Sequence, residues 1–201
     1  MKKILYGFVA LASLATLAFT VGDPLTIGST MPKADLKMQD ISGKEIAMKD
    51  VKKDNGVLVM FSCNTCPFVM MNQERTAEIC SYAESKNVGV VILNSNEANR
   101  GNVDSYEEMK SYAKDQNYKW SYLVDDKNEM ADAFGANRTP ECFLFDNNLK
   151  LVYHGAIDNN PSDASNVTRK HLQIAIDETV DGKEVTMKET KSVGCGIKRK
   201  S

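Results

Sequence analysis

Residues 56–62 form an unbroken apolar run of strand length that ends in two cysteines separated by two residues, Cys63-Asn64-Thr65-Cys66, followed by Pro67. A strand with no polar alternation is covered on both faces, which is the usual state of a strand in a sheet flanked by helices. Val69, Met70, Thr76, Ala77, Cys80 and Ala83 then recur at offsets of three and four, predicting a helix over 68–86, and Val88 to Leu93 is a second apolar, β-branched run. Strand, helix, strand with a right-handed parallel crossover is the expected unit, so the chain reads as α/β.

The cysteine spacing has its own physical meaning. A strand feeding directly into a helix puts Cys63 at the helix N-terminus, where unpaired backbone N–H groups and the dipole favour a thiolate. Cys66 follows one turn later, roughly 5–6 Å away between Cβ atoms. Disulfide geometry tolerates Cα separations of about 4.4–6.8 Å, so the pair can open and close with little backbone movement. Zinc would need two further ligands at a matching spacing, and the sequence has no second CxxC or His pair. A c-type haem site would need His where Pro67 stands.

Around this centre, residues 25–53 predict a hairpin on the edge of the sheet, with strands at Ala34 to Met38 and Glu45 to Met48 joined by a turn at 40–44. Residues 94–104 are polar and predict a surface loop; Ser105 to Asn117 predicts a helix, Ser121 to Asp125 a third core strand, and Lys127 to Phe134 a short helix stopped by Gly135. Glu141 to Asp146 and Leu149 to His154, joined by Asn147-Asn148, predict an antiparallel hairpin. A last helix is expected over 166–180 with Leu172, Ala175, Ile176 and Thr179 inward, then a polar tail from about 181.

Lys2 and Lys3 precede an apolar run from Ile4 to Val21, the pattern of a bacterial secretory signal, with cleavage after Ala18, Thr20 or Gly22. The alternative for residues 1–22 is an uncleaved membrane anchor. Either way residues 23–201 form one domain outside the cytoplasm. The net charge of −2 gives no field that calls for nucleic acid. Five cysteines are an odd number for an exported chain, so at least one is free or pairs outside the chain.

With these elements in place, the sequence resembles the thioredoxin superfamily. More closely, it resembles the exported, peroxiredoxin-like redoxins of the alkyl hydroperoxide reductase/thiol-specific antioxidant family. The resemblance rests on the leading hairpin with Gly28, Pro32, Asp40, Gly43 and Lys44, on Phe61 to Phe68, on Arg138-Thr139-Pro140, on Leu151 to Gly155, and on Ser192 to Lys198. It implies a three-layer thioredoxin-like fold, a central mixed sheet flanked by helices with an N-terminal hairpin added. It also implies a cis Pro140 packed on the CxxC, with the Thr139 backbone available to an extended substrate. The chain departs from the peroxiredoxin signature, having Cys63 and Val59 where that signature has Thr and Pro, and from thioredoxin, having Val57 where a buried Asp stands.

The expected activity is thiol–disulfide exchange, with Cys63 attacking a substrate disulfide and Cys66 resolving it, no cofactor, and a membrane or periplasmic thiol as electron donor. A thiol-dependent peroxidase is the alternative. A Cu(I) carrier using Cys63, Cys66 and His154, with Met60, Met70 and Met71 as soft donors nearby, is a third reading. Glu141, beside Pro140, is a candidate proton acceptor or a solvated strand-end carboxylate. Cys142 is expected in the core with an auxiliary role open to it. Cys80 lies about 21 Å from Cys66 along a straight helix and reads as a buried hydrophobe. Cys195, in a glycine-flanked tail with a reach of up to roughly 43 Å, is a third redox cysteine or an idle one. Lys198 to Lys200 read as a solvated basic end.

Overall fold

The computed structural model describes residues 22–200, so the signal or anchor read at the N-terminus lies, except for Gly22, outside the described residues. In chain order the elements are β1 (Lys37–Gln39), β2 (Glu45–Ala47), α1 (Met48–Val51), β3 (Val57–Ser62), α2 (Pro67–Met71), α3 (Gln73–Ser85), β4 (Gly89–Asn94), α4 (Tyr106–Asp115), β5 (Ser121–Val124), α5 (Glu129–Phe134), β6 (Arg138–Thr139), β7 (Glu141–Phe145), β8 (Leu151–Gly155), α6 (His171–Val180) and β9 (Cys195–Gly196).

The apolar runs become the centre of a five-stranded mixed sheet in the order β5-β4-β3-β7-β8. β3 lies parallel to β4 and antiparallel to β7, so both its edges are paired and both its faces covered. The two-residue period of the strand divides its side chains between two cores. Leu58 and Met60 face a layer made with Ile79, Cys80, Met109, Leu172 and Ile176, while Val57, Val59 and Phe61 face Met48, Met130, Phe134 and Phe143. This is the α/β, thioredoxin-like three-layer arrangement expected. The N-terminal hairpin is present as β1 and β2, starting at Lys37 rather than Ala34, and it meets the sheet edge where Asp40 Oδ1 accepts the Tyr122 N–H at 2.9 Å.

Three expectations are corrected. The helix over 68–86 is broken at Asn72, whose φ of −104° and ψ of 7° interrupt the helical backbone. Its amide Nδ2 donates to Phe68 O at 2.7 Å and to Pro161 O at 2.9 Å, satisfying carbonyls at the break. The final helix starts at His171, with a short 3-10 turn at Ala164–Asn166 before it; Leu172, Ala175 and Ile176 are buried inward while Thr179 is half-buried. The segment from 181 is not a solvated tail. Val185 is buried in one core and Ile197 in the other, and the chain runs back across the molecule to add β9 antiparallel to β6. The basic end is tied down too, since Arg199 Nε donates to Asp132 Oδ1 at 2.9 Å and the Lys198 N–H to Asn96 Oδ1 at 2.8 Å.

A candidate thiol–disulfide site

β3 ends at Ser62, and the chain leaves the sheet through a short loop before α2 begins at Pro67. Cys66, not Cys63, is the N-cap of that helix; Pro67 suits the first helical position because its φ is fixed and the N–H it lacks would have no helical partner. The expectation that Cys63 sits at the helix start is therefore wrong by one turn.

What holds the loop is a web of buried polar groups. Asp104 is fully buried, and its Oδ1 accepts the Asn64 N–H at 2.9 Å and Asn94 Nδ2 at 2.8 Å. Its Oδ2 accepts Asn96 Nδ2 at 3.0 Å and Asn99 Nδ2 at 3.3 Å. The Asn64 side chain donates to Val103 O at 2.8 Å and accepts from the Tyr122 hydroxyl at 2.8 Å. Residues 94–104, expected to be a surface loop, thus supply buried Asn94, Ser95, Asn96 and Asp104 to the floor of the site.

Cys63 is 1% exposed, with its Sγ 3.6 Å from Thr139 Oγ1. Burial pushes its thiol pKa up; the Thr139 hydroxyl lowers it, the Asp104 charge raises it further, and N–H groups of Cys66 and Thr65 lower it, with the net shift upward. The acidic Cys63 expected from a helix N-terminus is corrected accordingly. The Thr139–Pro140 bond is cis, as the resemblance implies. Cys66 is joined to Cys195 in a disulfide with Cα atoms 6.1 Å apart, rather than to Cys63, which is a free thiol. Having no S–H in this state, Cys66 Sγ makes a 3.3 Å contact, not a hydrogen bond, with the Thr139 carbonyl oxygen.

Thr139 does not present a free edge. It pairs with Cys195, and Arg138 with Gly196, so the backbone expected to receive an extended substrate is occupied by the chain's own C-terminal segment. Gly194 makes this approach feasible: a Cβ there would run into the Thr139 carbonyl.

The site therefore brings together Cys63, Cys66, Thr139, Pro140 and Cys195. Glu141 is buried rather than solvated, and its Oε2 accepts the N–H groups of Asn137 at 2.8 Å and Arg138 at 2.9 Å while Oε1 lies 2.7 Å from His154 Nε2. Its acceptors are committed to holding β6 and His154. His154 is buried and stacks on Phe143 at 4.4 Å between centroids. Among the described residues no group of three His, Cys, Asp or Glu side chains could hold a metal ion, so the Cu(I) reading gains no three-ligand site. Cys142 and Cys80 lie together in the core around Leu58 and Met60, where burial pushes both thiols up. Met70, whose helical spacing predicted a place in the core, is exposed, as is Met71.

Residues 27–154 match the model of the AhpC/TSA family. No curated protein sequence matches the chain. Among solved structures, a hypothetical protein of Sinorhizobium meliloti is 31% identical with a TM-score of 0.81, the match covering 89% of this chain and 97% of that one. An uncharacterized conserved protein of Geobacillus kaustophilus is 34% identical with a TM-score of 0.81, covering 87% and 93%. A secreted Mycobacterium tuberculosis disulfide oxidoreductase homologous to Escherichia coli DsbE shares the fold at 13% identity and a TM-score of 0.54, over 75% of this chain and 97% of that one.

Proposed function

The chain belongs to the AhpC/TSA family, and from that premise we propose that it is an exported thiol–disulfide oxidoreductase working through Cys63 and Cys66. The carrying observation is the convergence of three cysteines on Thr139, with one thiol free and the other two sharing a disulfide. Cys63 as thiolate attacks a substrate disulfide, expelling one substrate thiol and forming a mixed disulfide. Cys66 then attacks Cys63 Sγ, releases the second substrate thiol and leaves a Cys63–Cys66 bond. Attack by Cys195 on Cys66 Sγ regenerates the Cys63 thiol and gives the Cys66–Cys195 bond of the structure. Electrons are conserved at each exchange, and no cofactor is needed. Export is supported by the lysines and apolar run at residues 2–21, and the M. tuberculosis protein of the same fold is secreted.

The test is reduction of insulin or glutathione disulfide by the mature protein. Cys63→Ser is expected to abolish turnover and Cys66→Ser to accumulate mixed disulfides; full activity in both variants would sink the assignment.

A second reading is favoured by one observation. Cys66 stands where the family's peroxidatic signature places its cysteine, and its disulfide to Cys195 is the bond a sulfenic acid would leave after condensing with a thiol. Stopped-flow peroxide consumption well above that of free cysteine, and lost in Cys66→Ser, supports it; a rate equal to free cysteine removes it.

A further inference from the structure

The C-terminal segment is held on both sides of Cys195. Before it, the His154 N–H donates to Lys188 O at 2.8 Å, the Thr190 N–H to His154 O at 3.0 Å, and Thr190 Oγ1 accepts the Ala156 N–H at 2.9 Å. After it, the Ile197 N–H donates to Asn137 O at 3.0 Å, the Lys198 N–H to Asn96 Oδ1, and Arg199 Nη2 to Ala136 O at 2.8 Å. Residues 191–196 therefore cross the site as a strap fixed at both ends. These anchors are noncovalent and independent of the sulfurs, so they keep Cys195 beside Cys66 when the disulfide is open, as a tethered reactant at high effective concentration. The strap also covers what lies beneath. Cys63 and Cys66 are buried, at 1% and 5% exposure, whereas Cys195 is half-buried.

A disulfide can be attacked at either sulfur, and access helps decide which. Building on the oxidoreductase reading above, we propose that Cys195 is a catalytic cysteine through which reducing equivalents enter the site. A carrier with two thiols attacks Cys195 Sγ with the first, breaking the Cys66–Cys195 bond, forming a carrier–Cys195 mixed disulfide and expelling Cys66 as the thiolate, which takes up a proton. The carrier's second thiolate attacks its own sulfur in that mixed disulfide, closing the carrier disulfide and releasing Cys195. Two electrons have then moved from carrier to protein, and Cys63 and Cys66 are both free thiols ready for the client. Carrier and client thus meet different sulfurs, Cys195 on the outside and Cys63 within.

The experiment uses the full mature chain in its Cys66–Cys195 form and a limiting amount of glutathione as a monothiol probe, which has no second thiol to close a carrier disulfide within the adduct. Acid quenching at the earliest times, before the thiol released next to the adduct can move it, followed by alkylation and peptide mapping, locates the glutathione adduct in the native chain and in Cys63→Ser, which lacks the third thiol of the site. The expected result in both is glutathione on Cys195 in at least tenfold excess over Cys66. An adduct chiefly on Cys66, or shared equally, overturns the proposal. The readout does not depend on client turnover. A Cys63→Ser protein that still reduces insulin would defeat the oxidoreductase reading while leaving the adduct position to decide this one.

Discussion

A carboxylate with no exposed surface must have its lone pairs used, and Asp104 meets that condition with four N–H donors from Asn64, Asn94, Asn96 and Asn99. One of these is the backbone N–H of the residue after Cys63, so Asp104 positions the CxxC loop and also sets a negative charge near its first thiol. Asp104→Asn keeps the shape but removes the charge, and it turns an amide donor toward donors that need an acceptor. The expected outcome is a lower Cys63 pKa, seen as alkylation of Cys63 setting in at lower pH, together with a loss of about 1–3 kcal/mol of stability. A merely structural role would lower stability and leave the alkylation profile where it was. Glu141 makes a parallel case, because removing it strands two backbone N–H groups and His154. Glu141→Ala is expected to cost about 3 kcal/mol, or about 6–12 °C in Tm for a chain of this size, measurable by thermal unfolding. Neither role was legible in the sequence. The stretch 94–104 is polar, and composition does not distinguish a polar loop facing water from one whose amides and carboxylate satisfy one another inside. Its partners Asn64 and Tyr122 come from other elements.

At the scale of elements, the legible parts are those whose signal is local. β3 and β4 are continuous apolar runs, β7 and β8 flank an Asn-Asn turn, and α4 opens on Ser105, whose hydroxyl caps the Glu108 N–H. The break at Asn72 is less visible, because periodicity continues through it and the cause is a side-chain amide reaching Phe68 and Pro161. The strap is least visible of all. β6 and β9 have two residues each, too short for any periodic pattern, and the disulfide they frame spans 129 residues of sequence. What the sequence offered was Gly194, Cys195 and Gly196, whose reading as a flexible end reverses once the carbonyl of Thr139 is seen against Gly194. A methyl group there has to push the strap off β6, and overpacking of this kind costs about 1–3 kcal/mol. Since 1.4 kcal/mol is a factor of ten, Gly194→Ala is expected to lower the effective concentration of Cys195 at Cys66 about tenfold. Equilibration in glutathione redox buffers reads this as a shift in the fraction holding the Cys66–Cys195 bond; an unchanged fraction would show that the strap does not depend on this close contact.

Across the whole molecule, the two-core architecture determines how stability responds to alkali. The sheet buries a helix layer on each face, and the layer that holds Cys80 and Cys142 also holds Tyr122 and Tyr153. Burial pushes up the pKa of all four, as it does for Tyr118 and for Cys63. The folded chain therefore keeps protons that the unfolded chain releases once pH passes the ordinary thiol and phenol values of 9.0 and 10.0. Fewer protons bound to the unfolded state means that unfolding free energy falls as pH rises. The contribution of these groups is fully present below pH 9.0 and is lost progressively above it. Urea unfolding at fixed redox state is expected to give one midpoint from pH 7 to about 8, a unit below the ordinary thiol value of 9.0, and a declining midpoint beyond. Cys80→Ala with Cys142→Ala removes two of the groups responsible, so the double variant should be less stable at neutral pH because of the volume lost, yet lose less between pH 9 and 10.5, the range in which unfolded thiols ionise. A native midpoint that holds or rises through that range would mean that the thiols and phenols of this core are not kept protonated by burial.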